Sequence, residues 1–157
     1  MKNLEKENIP ILISALEERY KSIHTIRERV QSIGIWSLGL MFTAGGFLFQ
    51  SDTIMTITQK SICIIGVIIA SYVLRFEYLE DLNKGFKSQQ KVAARIEKVL
   101  GFFTSGIFDN DKTSIYPEGW ENAGKEKGEG RFFSTTYVLL LIGLIFLITS
   151  IIFSGCL

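Results

Sequence analysis

The sequence predicts an all-α integral membrane protein with three transmembrane helices, the first two extended into the cytoplasm as a long antiparallel helical hairpin. Three observations carry this expectation. Uncharged apolar stretches occupy about 30–51, 61–74 and 132–157, and helices are the structures that satisfy such backbone within lipid. Of the 17 Lys and Arg, six precede the first stretch and ten lie between the second and third, while Lys60 alone separates the first two. Apolar spacing of three and four residues also runs on without a breaker from the first two stretches into their charged flanks. Under the positive-inside rule the N-terminus and the 75–131 segment are cytoplasmic, and the 51–60 turn and Gly155-Cys156-Leu157 face outward. Residues 1–29 are highly charged and show neither an apolar h-region nor a cleavage site, so a signal peptide is not expected and the first stretch is retained.

Residues 1–33 form the first stem and 34–50 the first crossing. Asn8-Ile9-Pro10 has the chemistry of a helix start, with Asn8 as cap and Pro10 in the first turn. Leu12, Leu16, Ile23, Ile26, Val30 and Ile33 then share one helical face. With no breaker before Trp36, one helix of roughly 60 Å is expected from about residue 10 to 50.

An outer turn, 51–60, leads to the second crossing, 61–74. Ser61 to Leu74 is short for a span. Starting the helix near Thr53, with Lys60 snorkelling to the outer interface, supplies the missing length. A re-entrant segment is the alternative, disfavoured because basic residues flank the pair on one side only. The second stem, 75–103, carries a seam of Leu79, Leu82, Phe86, Gln89, Ala93, Ile96, Leu100 and Phe103. Its polar member, Gln89, needs a partner if buried and is suited to setting register or oligomeric state. Both stems leave the same side of the membrane and are expected to pack through these faces.

In the return loop, 104–131, Gly106, Pro117, Gly119, Gly124, Gly128 and Gly130 break any period. The loop has to cover about 40 Å from the stem tip, within reach of extended chain. Ile115, Tyr116 and Trp120 are the expected anchors that dock it along the stems. The third crossing, 132–154, follows Arg131, with Phe132 and Phe133 at the interface.

Composition narrows the function classes. A net charge of +1 gives no bulk argument for nucleic acid or an acidic substrate. Cys63 lies in the second stretch and Cys156 at the penultimate position; two unpaired thiols are expected, since a bridge would need both at one depth. No lipidation pattern is present. Gly124-Lys125-Glu126-Lys127-Gly128 lacks the phosphate-loop spacing, and neither a nucleophile elbow nor a paired-carboxylate site stands out. No metal, no cofactor and no enzymatic activity are expected. The absence of ionisable groups deep in the crossings argues against an ion-coupled transporter.

Three patterns remain as candidate sites. Lys84, Lys87, Lys91, Arg95 and Lys98 fall within an arc of about 80° on the second stem, opposite its apolar seam. Such a stripe suits a phosphorylated ligand or an acidic partner; the alternative is a solvated face, or pairing with Glu17, Glu18 and Glu28. Aromatics do not interleave with it, so nucleic acid is not the expected partner. Small and polar residues mark close-packing or pore-lining faces: Gly39, Thr43 and Gly46 in the first crossing, Gly66 and Ala70 in the second, Thr136, Gly143 and Ser150 in the third. Finally, Arg19-Tyr20-Lys21-Ser22-Ile23-His24 has the R-x4-H spacing and so resembles HEPN-type ribonucleases, in which the Arg and His act on RNA; an exposed stem histidine is the plainer reading.

The layout from Ile11 to Phe103, with Glu17-Glu18-Arg19-Tyr20 leading to Arg27-Glu28-Arg29-Val30, resembles small membrane effectors of bacterial conflict systems, notably the SLATT group. Those carry two membrane helices, and the third crossing departs from that pattern. The resemblance implies a bacterial inner-membrane protein that forms a homo-oligomer and breaches the membrane when a cytoplasmic protein or nucleotide signal triggers it. Membrane lipid is its other expected partner. A non-conducting scaffold that recruits a cytoplasmic protein, and a membrane-anchored HEPN-like ribonuclease, are the alternatives.

Overall fold

A computed structural model describes residues 8–50, 54–107, 113–125 and 130–155. Among these the chain is helical throughout its regular structure, with no strand. Helix α1 spans Asn8–Gln50, α2 Ile57–Val73, α3 Glu80–Leu100 and α4 Arg131–Phe153. A π-helical segment, Leu74–Leu79, joins α2 to α3, and a short 3-10 helix, Glu118–Asn122, lies between α3 and α4. Three runs, Asn8–Gln50, Ile57–Leu100 and Arg131–Phe153, are long and apolar enough to cross a membrane. Cys156 lies outside the described residues, as does the Thr53 start expected for the second crossing.

The observed start of α2 is at Ile57, and its cause is local. Thr56 accepts from Gln59 N at 3.3 Å, and Gln59 Oε1 accepts from Thr56 N at 2.9 Å. This reciprocal capping box satisfies two of the first turn's orphan N–H groups. Lys60 supplies a link that helical spacing alone does not specify. Its ammonium donates to the carbonyls of Ile152 and Ser154, both at 2.8 Å. A cation there meets the negative end of the α4 dipole and carbonyls without an intrahelical donor.

Two compact units divide the chain. One comprises Glu28–Leu82 with Glu129–Leu157. In it α4 is the helix on which the others pack. Its Phe133, Thr136, Tyr137, Leu140, Gly143, Leu147, Ser150 and Ile151 are buried, a line at helical spacing. Against it lies an α1 face of Gly34, Leu38, Met41 and Gly45. A Cβ on Gly34 would sit 3.1 Å from Thr136 Cγ2, and one on Gly143 would sit 2.9 Å from Leu38 Cδ1 and Met41 Sδ. One on Gly45 would sit 2.5 Å from the Phe146 ring and 2.9 Å from Ser150 Oγ. Residue numbers rise together along this contact, so the two segments are parallel. Lys60 meets Ile152 and Ser154 while Arg75 meets Tyr137, so α2 runs antiparallel to α4.

The other unit comprises Met1–Arg27 with Asn83–Gly128. Arg19 meets Gln89, Tyr20 meets Glu97, and a Cβ on Gly85 would lie 3.9 Å from Ile26 Cδ1. The pairing therefore runs antiparallel. The buried line of α3 is Asn83, Ala93, Ala94 and Glu97; it shares Ala93 with the expected seam, whose Leu79 is also fully buried just before α3, and turns from the rest of that seam toward Glu97 by less than the roughly 100° of one residue. The rotation follows the polar partners: Glu97 is held inside by Tyr20, whereas apolar Leu82, Ile96 and Leu100 are only half-buried.

Gly45 tests the packing of α1 on α4. Gly45→Val drives a branched side chain into the Phe146 ring and is expected to cost about 1–3 kcal/mol. Thermal unfolding in detergent, followed by helical circular dichroism, should show a lower midpoint than for Gly39→Val, where a Cβ meets nothing within 4 Å.

Candidate functional site

The polar centre of the Met1–Arg27/Asn83–Gly128 unit is built from three chain segments. From α1, the Tyr20 hydroxyl donates to Glu97 Oε1 on α3 and also hydrogen-bonds the Tyr116 side chain of the return segment. Glu97 is only 5% exposed, so a hydrogen-bonded partner is what makes its burial tolerable. Burial first, then the hydrogen bond to Glu97, pushes the Tyr20 hydroxyl well above the usual phenol range. Next to Tyr20 on α1, Arg19 Nη1 donates to Gln89 Oε1 at 2.9 Å, about two turns back from Glu97 along α3. That supplies the partner Gln89 required.

The return segment is docked against α3 along 113–125. Tyr116 N donates to Phe102 O at 3.1 Å, and the Tyr116 ring packs edge-on against Phe102 and Phe103 at 5.4 and 5.9 Å. Glu121 pairs with Lys98, which holds its carboxyl below the usual carboxylate range. Gly124, with φ of 76°, presses its α-carbon side against Lys87 O, and a Cβ there would also lie 2.9 Å from Lys91 N. Of the three expected anchors, Tyr116 is the one turned inward, whereas Ile115 and Trp120 are 52% and 58% exposed. Gly124 is the anchor that aromatic content does not reveal; its signal is a glycine placed where the chain must both turn and touch a helix.

Between these elements lies a cavity of about 450 Å³ lined by Tyr20, Ile23, Arg27, Gln90, Glu97 and Trp120, with three alanines completing the wall. It offers a cation, a carboxylate, an amide and an aromatic face. Among the described residues no group of three His, Cys, Asp or Glu comes together to hold a metal.

The basic stripe is placed unevenly. Lys98 is taken by Glu121, and the backbone of Lys87 and Lys91 lies under Gly124. Lys84 and Lys87 are not free. Lys91 and Arg95 are exposed. Arg19 is directed to Gln89 and lies 3.8 Å from Glu18, while His24, five residues on, is exposed and also engaged. The two are therefore about 140° apart around α1 at helical spacing.

The small-residue faces divide in two. Thr136, Gly143 and Ser150 are buried, and the Thr136 and Ser150 hydroxyls donate to Phe132 O and Phe146 O of their own helix at 3.0 and 2.8 Å. Gly39, Gly46 and Gly66 face open space, and Thr43 and Ala70 are exposed. Gly34 and Gly45, eleven residues apart and thus on one helical face, form the contact on α1 and lie outside the small-residue faces expected from spacing.

Comparisons with protein families, with curated proteins and with solved structures return no match for this chain.

Tyr20→Phe leaves the buried Glu97 acceptor without its donor and should destabilise this unit by about 1–3 kcal/mol, read as faster amide exchange in 13–27 and 90–100. Because the folded-state pKa of Tyr20 is raised, its stabilisation is complete below the ordinary phenol pKa of about 10 and declines as pH rises above it. Alkaline unfolding should accordingly be steeper in the wild type than in Tyr20→Phe. Gly124→Ala puts a methyl against Lys87 O at positive φ, and limited proteolysis within 113–125 should accelerate several-fold while α4 stays protected.

Proposed function

We propose that the chain is a multi-pass protein of the bacterial inner membrane, N-terminus cytoplasmic and C-terminus outside, that assembles as a homo-oligomer and opens or disrupts the bilayer on a cytoplasmic signal. On this reading the three long apolar helices are the crossings, and the first two extend into the cytoplasm as an antiparallel hairpin. The antiphage role follows from the resemblance to conflict-system effectors.

One observation carries the assembly. Only 6% of the most apolar window in each of the first two long helices is buried within the chain, against 33% in α4. The exposed remainder includes Gly39, Gly46 and Gly66, where a neighbouring backbone has room to approach. The hairpin is the sensing part. Its return segment is pinned by a few discrete contacts, Tyr116 on Phe102, Lys98 with Glu121 and Gly124 on α3, beside a polar cavity. A signal that binds one arrangement of those contacts more tightly shifts the equilibrium by its differential affinity and by nothing else. The outward Lys91 and Arg95 favour a second reading, a scaffold that recruits an acidic cytoplasmic protein without conducting.

Purified protein in liposomes decides between them. A closed ring of several copies with dye or ion release, both reduced at least tenfold by Gly39→Leu combined with Gly46→Leu, is the expected result. Vesicles that stay tight under every trigger, with protein inserted as monomer or dimer, would overturn it. A co-purifying protein lost on reversing Lys87, Lys91 and Arg95 to Glu would then establish the scaffold.

A further inference from the structure

Within the Met1–Arg27/Asn83–Gly128 unit, Glu97 is the buried group whose charge the packing leaves unbalanced. Its side chain lines the cavity of about 450 Å³ between α1, α3 and the return segment. Its Oε1 accepts from the Tyr20 hydroxyl. That donor is neutral, so it satisfies an oxygen without cancelling a charge. Among the described residues no Lys, Arg or His forms an ion pair with Glu97. A buried carboxylate is ordinarily paired with a cation, because the fold has taken it out of water.

The remaining walls fit a cation that carries an apolar body. Ile23 and three alanines give a smooth apolar surface. Trp120 also lines the cavity and keeps much of its ring exposed. Such a ring attracts an ammonium to its face and packs against hydrocarbon equally well. Arg27 lines the same cavity, but it stands seven residues beyond Tyr20, about 10 Å along α1 at helical rise, and has an interaction of its own. The Glu97 end is therefore the end that recognises positive charge.

We propose that this cavity binds a small organic monoamine, its ammonium on the Glu97 carboxylate and its apolar body against Trp120 and the alanines. A charge-assisted hydrogen bond forms there to a carboxylate that folding has already desolvated, so little of that cost falls on binding. The site lies within one unit, and its occupancy does not depend on a membrane. The amine's role as the cytoplasmic signal rests on the function proposed above: it joins Glu97 of α3 to Trp120 of the return segment, and so binds the docked arrangement of that segment more tightly than any other.

The test is isothermal titration calorimetry on the full chain in mild detergent, with three probes of similar shape: phenethylamine, phenylethanol and phenylacetate. Phenethylamine should bind once per chain with a Kd below about 1 mM. Phenylethanol should bind at least tenfold more weakly, and phenylacetate should give no heat. Glu97→Gln keeps an oxygen for Tyr20 and removes the charge; it should weaken phenethylamine at least tenfold while helical circular dichroism is unchanged. Trp120→Ala should weaken it at least threefold. Glu18→Gln, which removes an exposed carboxylate outside the cavity, should leave the affinity as it was. Equal affinity in wild type and Glu97→Gln, phenylacetate binding as tightly as phenethylamine, or no heat up to about 10 mM amine would overturn the site. Dye release from liposomes separates the two levels. Vesicles that stay tight with and without a bound amine refute the membrane activity and leave the site standing, whereas release that ignores a bound amine refutes the amine as the signal.

Discussion

How closely α1 approaches α4 is the constraint on which the apolar unit depends. Apolar surfaces gain little by leaving lipid for one another, so such helices associate by packing. Here the approach is set by Gly34 and Gly45 on one side and Gly143 on the other, each too crowded to accept a Cβ without a shift. Ser150 is fully buried beside Gly45, yet its hydroxyl is satisfied by Phe146 O one turn back. The buried hydroxyls of α4 thus add bulk without adding an unmet polar group. The ends of α2 are then fixed by charge, Lys60 on the terminal carbonyls of α4 and Arg75 on the Tyr137 ring.

The second unit is organised by a different physics. Its contacts place Glu97, Asn83, Gln89 and Arg19 at or near a helix interface that an apolar heptad would have filled with Leu and Ile. Polar pairs of this kind add little net stability, because bonds to water are exchanged for bonds to protein. They add direction instead. A slip of one residue would leave Glu97 without Tyr20 and Gln89 without Arg19, and each orphaned group costs more than the bond was worth. Tyr20 joins all three segments because its hydroxyl reaches both Glu97 and Tyr116.

The all-helical class and the three long apolar runs were legible because uncharged stretches and unbroken helical spacing are properties of one strand of sequence. The capping box at Thr56 and Gln59 was legible in principle, as Thr followed three residues later by Gln. Length pulled the expected start toward Thr53 instead. The faces were harder. Gly39, Gly46 and Gly66 satisfy the same small-residue criterion as Gly45 and Gly143, and only the position of the partner helix separates them. The expected α3 seam reached the buried Leu79 and Ala93 but not Glu97, for a related reason: helical spacing marks a glutamate as solvent-facing, and nothing local announces that Tyr20, seventy-seven positions away in sequence, will meet it. Residue 75 was expected only as the start of the second stem; the stacking of Arg75 on Tyr137 depends on α4, far along the chain.

These contacts bear on how a membrane activity of the proposed kind would arise. The line of α4 that faces its neighbours is filled by Phe133, Leu140, Leu147 and Ile151, and its hydroxyls are turned back onto their own backbone. Such a centre is a packed interior, without the free donors and acceptors that line a water path. Conduction would therefore have to come from between chains, or from a repacking that turns Thr136 and Ser150 outward. The second route must break the Gly45–Phe146 and Gly143–Met41 contacts and expose hydroxyls already satisfied, so it gains no new hydrogen bonds for what it gives up. The first route leaves the chain's own packing intact and uses surfaces of α1 and α2 that are already open. For the proposed activity, assembly is on energetic grounds the less costly of the two routes.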